Sequence, residues 1–109
     1  MSYNILPTKR FEKELKHLAK KYPAIKANFA NLVAVLMENP QTGTFLGNNC
    51  YKVRMSITGK AKGKSGGARV ITYLYIQTET VYLLTAYDKS ENDTIKDYEI
   101  REMIKSLDL

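Results

Sequence analysis

Apolar residues recur along the chain first at helical spacing, then in alternation, then at helical spacing again, and these changes of rhythm divide it into elements. Past Pro7, Phe11, Leu15 and Leu18 fall on one helical face, with Thr8 placed to cap the first turn. The other face of that helix is Lys9, Arg10, Lys13, Lys16, Lys20 and Lys21, and Tyr22-Pro23 ends it. A second stripe of Ile25, Phe29, Leu32, Val33 and Leu36 predicts another helix, stopped at Asn39-Pro40. Periodicity then lapses over Gln41 to Asn49, which reads as a loop around Gly43 and Gly47. Three runs rich in β-branched and aromatic residues follow, Tyr51 to Ile57, Gly66 to Ile76 and Thr80 to Tyr87, and predict strands joined as hairpins. Thr94 and Asp97 match a capping box ahead of a last helix carrying Ile100, Met103, Ile104 and Leu107. Residues 2–6 read as a short leading strand.

The expected fold is α+β: an antiparallel-hairpin sheet, an N-terminal helix hairpin on one face, and a C-terminal helix. All 109 residues are expected to form a single domain. Alternation assigns the faces of the sheet. Tyr51, Val53, Met55 and Ile57 point toward the helix hairpin, which leaves Lys52, Arg54 and Ser56 on an opposite, open face. Arg69, Ile71, Tyr73 and Tyr75 share a face in the next strand. Placing Arg69 on the Lys52/Arg54 side sets three cations beside several tyrosines.

Composition narrows the class. Hydrophobic residues make up 44% of the chain, as in ordinary globular proteins. No apolar run reaches the roughly 18 residues of a membrane span, so no membrane partner is expected. The first residues lack the basic start and apolar middle of a signal peptide, which predicts a cytoplasmic protein. Cys50 is the single cysteine, leaving no internal disulfide and no cysteine-based zinc cage.

Charge changes the picture more. The formal net charge is +6, and no acid occurs between Glu38 and Glu79, where Lys52, Arg54, Lys60, Lys62, Lys64 and Arg69 all fall. A sheet of one sign calls for an anionic polymer or an acidic protein partner. Lys60, Lys62 and Lys64 stand in a Gly-rich loop, either as a solvated tip or as an RNA contact. Tyr73, Tyr75, Tyr87 and Tyr98 offer rings for base stacking, with about half expected in the core. His17 lies on the lysine-rich helix face, apart in pattern from the sheet, and reads as a surface residue. Gly63-Lys64-Ser65 leads into a strand and not a helix, which excludes a P-loop. Asp88, Glu91 and Asp93 cluster after the last strand, where capping and turn roles explain them better than a Mg²⁺ site. No metal and no cofactor is expected.

These residues carry a family resemblance. Lys52-Val53-Arg54, then Gly63-Lys64-Ser65-Gly66-Gly67-Ala68-Arg69-Val70-Ile71, then Tyr82-Leu83-Leu84-Thr85-Ala86-Tyr87-Asp88-Lys89-Ser90-Glu91 resemble the RelE/ParE toxin superfamily, nearest its HigB-like branch. The resemblance spans nearly the whole chain. It implies the toxin of a bacterial type II toxin–antitoxin module, a ribosome-dependent mRNA endonuclease (an mRNA interferase) that inhibits translation. Its partners would be the ribosome, mRNA and a cognate antitoxin, commonly of helix-turn-helix type, with DNA touched only through that antitoxin. Lys52 and Arg54 match the family's basic pair, Arg69 the arginine opening the next strand, and Lys89 the basic residue past the last strand. Two positions depart from the pattern: Ser90 stands where some relatives carry a second basic residue, and Ile95 and Lys96 stand near the offset of a C-terminal active-site tyrosine.

Attack of a ribose 2′-OH on phosphate needs a proton acceptor, a proton donor and positive charge at the phosphate. Arginine suits the last, because its planar fork binds phosphate oxygens bidentately and stays protonated. A lysine crowded by other cations gives up its proton more readily and can serve as base. Lys52, Arg54, Arg69 and Lys89 are therefore the candidate catalytic residues, and Lys60, Lys62, Lys64, Tyr73 and Tyr98 the candidate RNA contacts. Two rivals stand beside this reading. One is a same-fold toxin acting on a protein such as DNA gyrase; the other is a non-catalytic module binding nucleic acid or an antitoxin.

Overall fold

The computed structural model describes residues 2–57, 67–90 and 95–109. Helix α1 (Lys9–Lys21) starts where Thr8 accepts a hydrogen bond from the Phe11 N–H at 3.1 Å, the cap expected from the sequence. Helix α2 (Ile25–Glu38) follows after a short turn. The sheet holds β1 (Asn4–Pro7), β2 (Thr44–Gly47), β3 (Cys50–Met55), β4 (Ala68–Tyr75) and β5 (Thr80–Asp88) in the order β1-β5-β4-β3-β2. A single 3₁₀ turn (Ile76–Thr78) joins β4 to β5, and α3 (Asp97–Lys105) closes the chain.

Helices α1 and α2 pack on one face of the sheet. Phe11, Leu18, Ile25, Leu32 and Leu36 meet Val53, Met55, Val70, Leu74, Val81 and Leu83 there, all buried. The rings of Phe11 and Phe29 lie 5.5 Å apart and lock the two helices together. The second face carries a smaller core in which Ile100 and Met103 of α3 cover Cys50, Ile71, Leu84 and Tyr87.

Four expectations are corrected. The segment Gln41 to Asn49 is not all loop, because Thr44–Gly47 pairs antiparallel with β3 as an edge strand. Four residues are too few to show a period, and pairing supplies what local pattern does not. The leading strand includes Pro7 and runs parallel to β5, so the sheet is not built of hairpins alone. Pro7 is tolerated because an edge strand can do without one donor. The last helix begins at Asp97 itself, with the Glu99 carboxylate accepting the Lys96 N–H at 3.2 Å; Thr94 lies outside the described residues. Finally, the face opposite α1 and α2 is open only in part, since α3 occupies its middle.

The pairing of β4 with β5 skips Leu84, between Ile71↔Thr85 and Thr72↔Leu83. This bulge turns Leu84 into the α3 core. Strand β1 pairs only with Thr80–Leu83, and α1 takes over beyond it. The Thr8 hydroxyl donates to the Leu83 and Leu84 carbonyls at 2.9 and 3.2 Å. Glu14 Oε1 accepts the Thr85 hydroxyl at 2.7 Å and the Ala86 N–H at 3.2 Å, and the Tyr22 hydroxyl donates to Asp88 Oδ2 at 3.1 Å. Side chains of a helix thus do the work of a neighbouring strand. Replacing Glu14 by alanine strands one backbone donor and one hydroxyl, with an expected loss of about 1–2 kcal/mol. Chemical denaturation checks it, and Glu14→Gln, which keeps an acceptor, is expected to recover most of the loss.

Candidate functional site

The register of the strands assembles the cations. Arg54 lies directly opposite Arg69 on β3 and β4, and Arg69 lies directly opposite Tyr87 on β5. One row across the sheet therefore reads Arg54, Arg69, Tyr87. The next row reads Lys52, Ile71, Thr85, which puts Lys52 two residues along the strand from Arg54 on the same face. Side chains directly opposite in an antiparallel pair have Cβ atoms about 4.5–5.5 Å apart, within reach of one shared ligand.

Burial distinguishes the members. Arg54 is exposed and Lys52 half-buried, whereas Arg69 is only 8% exposed. The expected open-face position of Arg69 is thereby corrected: its stem is walled in by neighbours, and its Nη1 donates to the Ala68 carbonyl at 3.4 Å. Tyr87 is buried as well, and burial raises its phenol above the ordinary range while the Arg69 guanidinium works in the opposite sense. Gly67, at φ +88°, precedes β4 and passes so close to the Met55 carbonyl that an added Cβ would lie 2.6 Å from its oxygen.

Lys89 follows β5 directly, two residues past Tyr87, and is half-buried. The adjacent Asp88 is buried and committed to structure: its Oδ1 accepts from the Ser90 N–H and hydroxyl at 3.0 and 2.8 Å. That is the turn role expected for it. Among the described residues no group of His, Cys, Asp and Glu is placed to hold a metal ion. Lys60, Lys62, Lys64, Glu91 and Asp93 lie outside the described residues.

Of the two tyrosines expected to contact RNA, Tyr73 lies four residues from Arg69 on the same face, about 13 Å along β4. Tyr98 is 57% exposed on the first turn of α3. Burial pushes the Cys50 thiol up to about 11, so it stays protonated at neutral pH and serves as packing.

His17 is exposed, as expected, but it is not remote from the sheet. A cleft of about 240 Å³ is lined by Lys13, Glu14 and His17 of α1 together with Ala86, Tyr87 and Asp88 of β5. The basic face of α1 therefore borders the strand that carries Tyr87. Sequence reading offered Tyr87 only as a possible stacking ring and missed both its place opposite Arg69 and this border, because both depend on the β4–β5 register and its bulge.

The site thus consists of two arginines and a lysine on one patch of a sheet, with a buried phenol alongside and a further lysine at the strand end. Such an array can bind and polarise a phosphodiester. Comparison with known proteins identifies the family. The family model described as the RelE toxin of the RelE/RelB toxin–antitoxin system matches residues 4–107. Among solved structures, a free Escherichia coli RelE toxin carrying two arginine-to-alanine substitutions is 16% identical, with 97% of this chain and 98% of that one covered at a TM-score of 0.65. The intact E. coli RelBE toxin–antitoxin complex is similar at 17% identity, 78% and 94% coverage and a TM-score of 0.59. The RelBE2 toxin–antitoxin complex of Mycobacterium tuberculosis follows at 16% identity, 81% and 99% coverage and a TM-score of 0.58. At these identities the structural likeness concerns the fold.

Proposed function

Since the chain belongs to the RelE toxin family of toxin–antitoxin systems, we propose that it inhibits translation by cutting mRNA held on the ribosome. The observation that carries this reading is the direct opposition of Arg54 and Arg69. Two guanidinium groups set side by side can bind one phosphate together, each through paired N–H donors.

In the proposed reaction the 2′-oxygen of one nucleotide attacks the adjacent phosphorus, and the bond from phosphorus to the 5′-oxygen breaks. Arg69, with Arg54, binds the phosphate oxygens as negative charge builds on them. Lys52 takes the 2′-hydroxyl proton, and Lys89 gives one to the leaving 5′-oxygen. The products are a 2′,3′-cyclic phosphate and a 5′-hydroxyl. The solved RelE structures include complexes with a RelB antitoxin, which supports a cognate antitoxin as the partner that silences this chain.

Induced expression is expected to arrest bacterial growth, and co-expression of the antitoxin to restore it. Purified protein is expected to cut mRNA on programmed ribosomes and to spare the same RNA when naked. Efficient cutting of free RNA would contradict the ribosome-dependent part. Growth arrest with intact mRNA and inhibited DNA supercoiling would shift the reading to a gyrase-directed toxin. Normal growth with abundant folded protein would favour a non-catalytic binding module.

A further inference from the structure

The cation row is not the one place on this face built for a polyanion. Between the Asn48-Asn49 turn and α3 lies a cleft of about 600 Å³, lined by Asn48, Asn49, Tyr73, Arg101, Ile104 and Lys105, with Glu102 the sole acid at its edge. We propose that this cleft is a second subsite for single-stranded RNA, taking an unpaired base against Tyr73 and the flanking phosphates on Arg101 and Lys105. The inference rests on the RNA-directed reading above and adds to it where the strand goes beyond the cation row.

Three features carry it. Tyr73 presents a fixed aromatic surface: its ring lies 6.3 Å from that of Tyr75 at 20°, and the Tyr75 hydroxyl is tied to Gln77 Oε1 at 2.9 Å. Bases of any identity stack on such a ring. Arg101 and Lys105 stand one helical turn apart on α3, both exposed, and neither side chain makes a hydrogen bond or ion pair to a described residue. The Asn48-Asn49 turn is held by its backbone, with both residues at positive φ and the Leu74 N–H donating to the Asn49 carbonyl at 2.8 Å. Its side-chain amides are left to donate and accept at a base edge. A small anion would use the two cations alone, whereas the ring and the amides fit a nucleotide.

The position is consistent with one continuous strand. At the ~13 Å separating Arg69 from Tyr73 along β4, a single strand spans roughly four nucleotides at the ~3.4 Å axial rise of a stacked strand, and fewer when extended.

The test is fluorescence anisotropy at low salt with fluorescein-labelled oligouridines of about two and about eight nucleotides. The double variant Arg101→Ala/Lys105→Ala changes exposed side chains only. It is expected to bind the longer probe about 10-fold more weakly and the shorter one unchanged. Its slope of log affinity against log salt on the longer probe is expected to flatten by about 1.4, the value for two lost contacts to single-stranded phosphates. Tyr73→Phe keeps the stacking ring and is expected to match the parent, while Tyr73→Leu is expected to lose about 10-fold on the longer probe. Equal losses on both lengths, or no loss on either, would overturn the subsite while leaving the RNA reading standing. A parent protein that binds neither probe would overturn the subsite, while the RNA reading is decided separately by cleavage on programmed ribosomes. A polyglutamate peptide whose binding depends on Arg101 and Lys105, with RNA binding unaffected, would make the cleft a protein-docking surface and overturn the proposal.

Discussion

Arg69→Ala is expected to lower ribosome-dependent mRNA cleavage by about 10²–10³-fold, the usual loss when a charge-assisted contact made strongest in the transition state is removed. Its position explains the size of the effect. Arg69 is the central member of the row between Arg54 and Tyr87, and among the described candidate cations it alone is buried, where its field is least screened by water. The same burial means that truncation disturbs packing, so a stability loss of about 1–2 kcal/mol is expected, offset in part by relief of repulsion from Arg54. Arg69→Lys separates the two effects. It keeps a charge and most of the stem but loses the planar fork, so it is expected to melt near the parent temperature and cut at an intermediate rate. Cleavage and melting temperature measured side by side decide the matter. A folded Arg69→Ala protein cutting at the parent rate would remove Arg69 from the chemistry.

Gly67→Ala is expected to cost about 3 kcal/mol and to disable the site without touching any of its charged groups. A Cβ there would sit 2.6 Å from the Met55 carbonyl oxygen and 3.4 Å from the Ser56 Cα, so the obstruction is backbone and not a side chain that can swing aside. The residue also holds φ +88°, which an L-side chain resists by about 1–2 kcal/mol. Relief requires β3 and β4 to part at their Met55/Ala68 end, next to the Arg54–Arg69 pair. A melting-temperature drop of at least about 10 °C follows for a domain of this size. A variant that melts with the parent would show that the turn has another way to pass.

The helices were legible because each announces itself locally. Thr8 caps α1, Asn39-Pro40 stops α2, and the apolar stripe of each returns every turn. Strand β2 announces nothing: it has four residues, and its place depends on Tyr51 and Lys52 across the ladder. The parallel seat of β1 beside β5 is equally silent, since no local pattern in Asn4–Pro7 refers to residues 80–83. For the site, alternation sufficed to put Lys52, Arg54 and Arg69 on one face. It could not show that Arg54 meets Arg69 head-on, because the segment joining β3 to β4 conceals the register. Tyr87 was harder still, lying beyond a bulge that shifts every later residue of β5 by one place. His17 is exposed, as its lysine-rich helix face suggests, but nothing in that face tells that its border runs beside β5.

Strand β5 joins β1, β4 and α1, and it follows all three in the chain. During synthesis β1 must therefore wait for residues 80–83 before it has a strand to pair with. A nascent chain that stops short of Thr80 has no strand for β1, no acceptor carbonyls for Thr8, and only β3 beside Arg69. Contacts between residues some 75 positions apart also form slowly, because the intervening chain must be ordered first. For a protein proposed to attack the ribosome, the row Arg54, Arg69, Tyr87 is complete only after β5 has been made.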